Sequence, residues 1–302
     1  MVYQAMPCHA MSRAGAASAV VMDTGCASTY KHGAQERLSC AGPGIGQGAC
    51  SNRILKVMQD MSVANSFAAY LAGPSAQSEV LRRTMVDCQI RTFDVTDQLL
   101  LERLLAVPRE IFLPAELAPL AYSDSNLLLR PGEPGPARSL LPPLILARLI
   151  QGARVSATDQ VLDIASGSGY STALLAGLAG DVVAVESDKG LADSMRHSLD
   201  AAGLGQVRTF VGPLDQGAAS EAPFDIIFIN GGVEANLDKL FAQLKDGGRL
   251  LAIQHLARDT TGRAGKAVRF EKIGGEISSR VLFDASAPVI DAFRKAEQFT
   301  FF

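Results

Sequence analysis

The sequence has no continuous apolar segment long enough to cross a bilayer, although 48% of its 302 residues are hydrophobic. A membrane-spanning helix needs about 20 consecutive apolar residues. We therefore expect the hydrophobic residues to form a large core. The chain also has no excess of one charge, because its formal net charge is -3. This balance provides no general attraction to nucleic acid or to an anionic membrane, so we expect neither as a partner.

The cysteines do not form a recognisable metal-binding pattern. There is no CxxC pair, and no histidine cluster completes a zinc site. Four of the five lie in the first fifty residues: Cys8, Cys26, Cys40 and Cys50. We expect unstructured thiols and no bound metal, and we rank a disulfide set or a zinc site below that interpretation.

Residues 1–60 lack regular periodicity and are rich in Gly, Ala and Ser. Such a segment buries too little apolar surface to offset its ordering entropy, so we expect a disordered extension or a product of gene-start choice at Met61. The best candidate for a signal-peptide core, residues 14–22, contains Gly15 and Ser18 and no Leu, Ile or Phe. We therefore expect a cytoplasmic protein.

The remainder of the chain has regular hydrophobic patterns. Apolar spacing predicts helices between residues 76 and 118 and again near 144–150. Within the first stretch, one helix face is predicted from Val80, Leu81, Met85, Cys88 and Ile90. The Pro- and Gly-rich stretch 123–142 between them predicts a loop. The predicted strands then alternate with helical or loop segments at 160–165, 181–187, 207–212, 224–230 and 248–254. Strands separated by such crossovers predict a doubly wound, mostly parallel sheet of the α/β class.

The alternation of predicted strands with helical or loop segments ends near the C-terminus. Segments 267–273 and 279–283 have strand character and are separated by Gly274-Gly275 and few other residues. Such a short connection predicts an antiparallel hairpin. Added to the five preceding strands, the hairpin completes a predicted seven-stranded sheet with an antiparallel edge and an N-terminal helical extension.

The stretch 161–170 predicts a nucleotide-type pocket. Its sequence, Val-Leu-Asp-Ile-Ala-Ser-Gly-Ser-Gly-Tyr, describes a strand that enters a glycine turn and opens a helix. Small residues there let the backbone approach a ligand, and Glu186 at the end of the next strand is placed to accept hydrogen bonds from a ribose diol. Asn230 ends another predicted strand and is a further pocket candidate.

The turn has no GxGxxG fingerprint, because Ala165, Gly167 and Gly169 alternate with Ser166 and Ser168. That pattern suits a ligand without a pyrophosphate and disfavours a nicotinamide-dependent oxidoreductase.

Residues 85–302 resemble the protein-L-isoaspartate O-methyltransferases. The resemblance is most specific at Val107-Pro108-Arg109 and at the Gly-Ser-Gly-Tyr turn that starts at Gly167. The matching segments are 85–90, 107–114, 121–124, 161–170, 222–225 and 243–250. The resemblance implies a class I methyltransferase fold with an antiparallel strand inserted at the sheet edge. It also implies S-adenosylmethionine as cofactor, and a protein or peptide carboxylate as methyl acceptor.

Two departures from the family pattern concern the site. The family has a Gln-Thr-Ile-Ser-Gln-Pro run with a serine tied to activity, whereas this chain has Leu141 at the serine position and Ser139 at the threonine position. The family also has Gly-Asp-Gly after the third strand, where this chain has Gly212-Pro213-Leu214. We expect Ser139 to be the catalytic candidate. The expected cofactor-binding residues are Asp163, Ala165, Ser166, Gly167, Ser168, Gly169, Glu186, Ser187, Gly212, Pro213 and Asn230.

The sequence thus predicts a divergent isoaspartyl-type methyltransferase. The alternatives are a non-catalytic or regulatory S-adenosylmethionine-binding protein and a methyltransferase with a different acceptor. We expect residues 61–150 to form a helical region with a substrate-side loop, and residues 151–302 to form the cofactor-binding domain. Within the first of these, loop 131–138 is expected to border the acceptor site and to move as a lid. No pattern predicts an oligomeric state.

Overall fold

A mixed seven-stranded sheet lies at the centre of the computed structural model, which describes residues 73–129, 138–255 and 265–295. The strands are β1 (Leu127–Leu128), β2 (Ser139–Leu140), β3 (Gln160–Ile164), β4 (Asp181–Glu186), β5 (Arg208–Val211), β6 (Phe224–Val233), β7 (Leu244–His255), β8 (Gly265–Ile273) and β9 (Glu276–Asp284). The helices are α1 (Gly73–Thr84), α2 (Gln98–Ala106), α3 (Pro143–Ala153), α4 (Tyr170–Leu175), α5 (Lys189–Ala201) and α6 (Asp238–Ala242).

The order of strands in the large sheet is β5-β4-β3-β6-β7-β8-β9. Strands β3 to β7 pair in parallel, and β8 pairs antiparallel with both β7 and β9. The predicted α/β class, the seven strands and the antiparallel edge hairpin are therefore confirmed.

Both faces of the central strands are buried, which explains their continuous apolar sequences. Successive side chains of a strand point to opposite faces. Accordingly, Val161 of β3 belongs to one hydrophobic cluster, and its neighbour Leu162 belongs to the other. The same alternation occurs in β6, where Ile226 and Ile227 belong to different clusters. Parallel sheets have this double burial because their crossovers place helices on both faces.

Helices α2, α3 and α5 begin at residues that favour a helix N-terminus. Asp188 caps α5 by accepting a hydrogen bond from the Leu191 amide at 2.9 Å. Asp97 caps α2 in the same way, through the Leu100 amide at 3.1 Å. Pro143 occupies the first turn of α3, where a missing N–H has no intrahelical partner to lose. The helix predicted near 144–150 is confirmed by α3.

The prediction of a single helical face near residues 80–90 is wrong. Helix α1 passes into a π-helical turn at Met85–Ile90, and the chain reaches a left-handed residue at Asp94 before α2 begins. Val80 and Leu81 are exposed, whereas the first and last residues of the π turn are buried. A π turn adds a residue per turn, so apolar positions on its two sides do not share one face.

The predicted loop 123–142 contains a short pair of strands. Leu128 of β1 is opposite Ser139 of β2 in an antiparallel register. Just beyond this pair, the amide of Leu129 donates to the carbonyl of Arg138 at 2.9 Å. This pairing holds Arg138 and Ser139 at a defined place, which matters for the site. The remainder of the predicted lid, residues 131–137, lies outside the described residues.

The order of the strands places a crevice at the carboxyl end of β3. Strand β4 lies on one side of β3, and β6 lies on the other, so the crossovers leave β3 in opposite directions. Ligands of open α/β sheets bind at such a switch point, outside the carboxyl ends of the strands. Asp163 near the end of β3, Glu186 at the end of β4 and Asn230 in β6 all lie at this edge.

No helix in the described ranges is both long and apolar enough to cross a membrane. The predictions for residues 1–60, including the cysteines there and a start at Met61, concern residues that the structure does not describe. The described residues from Pro74 onward belong to one compact unit.

Candidate active site

The glycine turn after β3 has backbone conformations that few residues adopt. Ala165, Gly167 and Gly169 have φ angles of 55°, 58° and 95°. Tight packing adds to the demand for glycine. A Cβ on Gly167 would lie 2.6 Å from Leu129 Cδ1, and one on Gly169 would lie 2.9 Å from Met195 Cγ. The left-handed backbone favours glycine at both positions, and a Cβ there would also have to displace these side chains.

Asp163 organises the turn from within. One carboxylate oxygen accepts from Ser171 Oγ at 2.8 Å and Thr172 Oγ1 at 2.6 Å, at the start of α4. The other accepts from Asn230 Nδ2 at 2.6 Å. Burial raises the pKa of Asp163 to about 6, and the hydrogen bonds from Thr172, Ser171 and Asn230 oppose that rise. Asp163 thus ties β3, α4 and β6 together.

Asn230 is the second member of this network. Besides Asp163, its amide donates to the carbonyl of Ile164 at 3.1 Å. Both hydrogen bonds are made with neighbouring strand residues and hold β6 against β3. The structure therefore brings the predicted residues Asp163 and Asn230 together, and uses their polar atoms to position the turn.

Glu186 is completely buried at the end of β4. Its Oε2 accepts from the Gly167 amide at 3.0 Å, which links the carboxylate to the glycine turn. Its Oε1 accepts from the amides of Ser187 at 2.7 Å and Asp188 at 3.2 Å. The predicted proximity of Glu186 to the turn is therefore present, with three backbone donors directed at one carboxylate.

Arg138 contacts the same carboxylate and was not among the predicted site residues. Its Nε lies 3.2 Å from both oxygens of Glu186, and its Nη2 lies 3.2 Å from Oε1. Nη2 also donates to Ser187 Oγ at 2.8 Å. The arginine is 5% exposed. The sequence did mark this position as unusual, because Arg138 occupies the place where the resembling family has glutamine.

The two serines of the turn differ in their hydrogen bonding. Ser166 Oγ donates to the Asp163 carbonyl at 2.8 Å. Ser168 Oγ is buried and has no hydrogen-bond partner among the residues that the structure describes. A buried hydroxyl without a partner is uncommon in native proteins and indicates a place where a polar ligand atom could bind.

Gly212 and Pro213 follow β5 beside Glu186. The Gly212 amide donates to the Glu186 carbonyl at 3.0 Å, which extends the pairing of β4 with β5. Pro213 is exposed and precedes a short 3₁₀ turn, Leu214–Gln216. Because proline has no N–H, this loop offers a ligand one backbone donor fewer than another residue would.

The acceptor side of the site contains Ser139 and Leu141. Ser139 is half-buried in β2, and Leu141 is 2% exposed, with its side chain in the main hydrophobic cluster. The Leu141 carbonyl accepts a 2.7 Å hydrogen bond from Arg109 Nη2. Leucine at this position therefore serves packing and has no polar atom to offer a substrate.

Arg109 of the Val-Pro-Arg motif holds this segment in place. It is fully buried, and its Nε donates to the Ala121 carbonyl at 2.7 Å. Its guanidinium lies over the Tyr170 ring, 4.7 Å from the ring centroid, next to the glycine turn. Burial lowers the pKa of Arg109. The sequence motif did not reveal this role, because the partners of Arg109 are the backbone carbonyls of Ala121 and Leu141.

An open groove of about 670 Å³ lies between α5 and residues 111–116. It reaches the glycine turn at Ser168 and Leu129, and its lining also includes His197. Glu186 is not among the described residues that line it. The groove thus approaches the turn from a side where the Glu186 carboxylate is not accessible.

The residues present suit S-adenosylmethionine in part. The turn conformation, the unpartnered Ser168 hydroxyl and the Glu186 carboxylate match a ligand with a ribose and an amino-acid moiety. In this structure the Arg138 guanidinium contacts both oxygens of the Glu186 carboxylate. No cluster of three His, Cys, Asp or Glu side chains that could hold a metal ion occurs within 73–129, 138–255 and 265–295.

Comparison with known proteins gives a consistent family match. Residues 82–281 match the family described as Protein-L-isoaspartate(D-aspartate) O-methyltransferase. The chain is 34% identical over 170 residues to a protein-L-isoaspartate O-methyltransferase of Koribacter versatilis, covering 56% of this chain and 74% of that relative. It is 34% identical over 202 residues to protein-L-isoaspartate O-methyltransferase 2 of Geotalea uraniireducens, covering 65% and 91% of the two chains.

Two solved structures share the fold. A protein-L-isoaspartate O-methyltransferase superposes with a TM-score of 0.59 at 23% identity, over 70% of this chain and 65% of that one. A Plasmodium falciparum protein described as a putative member of the same group, in complex with S-adenosyl-L-homocysteine, has a TM-score of 0.57 at 16% identity. That superposition covers 71% of this chain and 98% of the other. At these identities the likeness concerns the fold.

Proposed function

The chain belongs to the protein-L-isoaspartate(D-aspartate) O-methyltransferase family, and from that membership we propose that it methylates the carboxylate of an isoaspartyl residue in a damaged protein. The predicted class of enzyme, an S-adenosylmethionine-dependent methyltransferase, is confirmed by the family. The observation that carries the proposal is the glycine turn at the end of β3, held by Asp163 and adjoining the Glu186 carboxylate.

S-adenosylmethionine supplies a methyl group on a sulfonium that is already activated for transfer. The chain therefore contributes mainly alignment of the two reactants. A carboxylate acceptor is ionised at neutral pH, so no strong general base is required. This agrees with β2 itself, whose two residues, Ser139 and Leu140, supply a hydroxyl and no basic side chain.

The cofactor-binding residues that we propose surround the carboxyl ends of β3, β4, β5 and β6. Glu186 would hold the ribose, and the small residues of the turn would let the backbone approach the ligand. The full set is Asp163, Ala165, Ser166, Gly167, Ser168, Gly169, Glu186, Ser187, Gly212, Pro213 and Asn230. Asp163 and Asn230 would act by holding the turn, since their polar atoms are engaged with each other.

Ser139 is the proposed catalytic residue on the acceptor side. It lies two residues before Leu141, on a strand whose backbone is fixed by β1 and by Arg109. Its hydroxyl could orient the acceptor carboxylate, and it lies two residues before the position where the resembling family has a serine tied to activity. This chain is on that interpretation a divergent member that lacks the usual active-site serine.

The structure also supports a second candidate function, a regulatory S-adenosylmethionine-binding protein or a methyltransferase for another acceptor. The observation in its favour is the packing of Leu141, which leaves the family's serine position without a polar atom. This candidate shares the cofactor with the first and differs from it in the acceptor.

We propose a protein or peptide as the partner of this site and the cytoplasm as its compartment. The second proposal is supported by the family match.

The function is tested by incubating the full chain with S-adenosylmethionine carrying a labelled methyl group and an isoaspartyl peptide. The matched aspartyl peptide is the control. We expect label on the isoaspartyl peptide alone, and about a tenfold loss of rate in Ser139→Ala, the equivalent of one hydrogen bond. Cofactor binding without transfer to the isoaspartyl peptide would contradict the proposed acceptor and favour the second candidate.

The variant Leu141→Ser gives a second test of the proposed acceptor. We expect this substitution to raise the rate on the isoaspartyl peptide, because it returns a hydroxyl to the position that the family uses. The new hydroxyl replaces buried leucine atoms, so the variant is compared with Leu141→Ala, which removes the same atoms without adding a hydroxyl. Equal rates in the two variants would remove the support for this interpretation.

A further inference from the structure

The Glu186 carboxylate has no acceptor site left for a ribose in this conformation. A carboxylate offers about four lone-pair positions. Backbone amides of Gly167, Ser187 and Asp188 occupy some of these, and the Arg138 guanidinium contacts both oxygens. The carboxylate is also completely buried. Two ribose hydroxyls would therefore need a partner of Glu186 to leave.

Arg138 is the partner that can leave. The three amides belong to the backbone of the turn and of the β4–α5 connection, so their removal would unfold the site. The Arg138 contact is made by a long side chain from another segment, 48 residues away in sequence. Its main chain is held independently, through the Leu129 hydrogen bond at 2.9 Å. The guanidinium can thus rotate away while the backbone stays paired.

A second observation concerns the way into the site. The groove beside α5 reaches the glycine turn at Ser168, but its described lining does not include Glu186. Arg138 itself is 5% exposed. Access to the fully buried carboxylate therefore requires a change of conformation, and Arg138 is the side chain that contacts both of its oxygens.

We propose that Arg138 competes with the cofactor's ribose for Glu186 and thereby sets both the affinity and the rate of cofactor binding. This inference rests on the cofactor-binding part of the proposed function. The protein then has a closed state, with Arg138 on Glu186, and an open state that binds. Apparent affinity falls in proportion to the fraction that is open, so a closed state at 99% would weaken binding about a hundredfold.

The test compares S-adenosylhomocysteine binding to the full-length wild type and to Arg138→Gln, by calorimetry at pH 8. Glutamine is the residue that the resembling family has at this position, and it carries no charge. We expect Arg138→Gln to bind at least tenfold more tightly. The matched control is Arg148→Gln, which removes a guanidinium that lies over the Phe283 ring, and its affinity should equal that of the wild type.

Binding kinetics give an independent readout. In stopped-flow mixing, the observed rate should rise with S-adenosylhomocysteine concentration with a smaller slope in the wild type than in Arg138→Gln, because the side chain moves rapidly and only the open fraction binds. Arg138→Lys keeps the charge without the two-pronged guanidinium, and we expect an intermediate affinity. This variant also serves if the glutamine variant does not fold.

The outcomes separate this inference from the proposed function. Equal or weaker binding by Arg138→Gln, with the wild type still binding, would overturn the competition and would make Arg138 a neutral or a direct cofactor contact. Absence of binding by wild type and variants at millimolar S-adenosylhomocysteine would overturn the cofactor-binding proposal, and the competition with it.

Discussion

Two buried carboxylates end neighbouring strands of this protein, and they are stabilised in different ways. Asp163 and Glu186 are both completely buried. Asp163 accepts hydrogen bonds from two hydroxyls and an amide, all of them neutral. Glu186 accepts from backbone amides and from the Arg138 guanidinium. The cost of burying the carboxylate is therefore offset at Asp163 by neutral donors alone. At Glu186 it is offset by donors that include a positive charge.

The difference follows from where the donors lie. The donors to Asp163 are on α4 and β6, elements that pack against β3 in the core, so this carboxylate fixes the geometry of the turn. The charged donor to Glu186 belongs to the segment just before β2, 48 residues away in sequence. A contact of that kind can be exchanged for a ligand. The comparison assigns a permanent role to Asp163 and an exchangeable one to Glu186.

The largest expected effect comes from Glu186→Gln. This change keeps the shape of the side chain and leaves the Arg138 cation buried without its opposite charge. Removing one partner of a buried pair costs about 3–5 kcal/mol of the free energy of unfolding, measured here by urea denaturation. The double variant Arg138→Gln/Glu186→Gln should recover part of this loss. A loss below about 1 kcal/mol in the single variant would show that the pair contributes little.

The next effect concerns the pH dependence of Asp163. Because burial raises its folded pKa to about 6, the folded protein binds a proton at higher pH than the unfolded chain does. The resulting stabilisation is complete below about pH 4 and is lost as the pH rises through 6. From pH 7 to pH 5 the wild type should therefore gain about 1 kcal/mol relative to Asp163→Asn. A difference between the two proteins that does not change with pH would contradict this expectation.

The smallest effect is expected for Ser171→Ala. It removes one of the three side-chain donors to Asp163 and leaves Thr172 on the same oxygen. Loss of a single hydrogen bond costs about 1 kcal/mol, which thermal unfolding can measure. The folded pKa of Asp163 should also rise, because a donor to its ionised form is lost. A loss of unfolding free energy in Ser171→Ala as large as that in Glu186→Gln would contradict the smaller contribution that we expect from a neutral donor.

The strand pattern of the sheet was predictable from sequence. Each predicted strand from 160–165 to 248–254 overlaps an observed one, because buried parallel strands require apolar residues on both faces. The Gly274-Gly275 turn likewise predicted the hairpin of β8 and β9, since its two residues have φ angles of 59° and 87°. These features depend on the backbone preferences and the hydrophobicity of the residues themselves.

The helical region before the sheet was predicted less well. Exposed Val80 and Leu81 suggested a buried face that the structure does not have. Spacing alone could not reveal the π turn at Met85–Ile90, because its wider turn is decided by packing against the core. The β1–β2 pair was missed for a similar reason, since each strand has only two residues.

The sequence by itself determined the α/β sheet, the glycine turn and the proximity of Glu186 to it, since these follow from the order of strands and from small residues at a strand end. Only the tertiary structure decided what the polar atoms contact. It brought Arg138 onto Glu186, Asn230 onto Asp163 and Arg109 onto the Leu141 carbonyl. Such contacts join residues distant along the chain, and burial selects them because a polar group removed from water must find a partner.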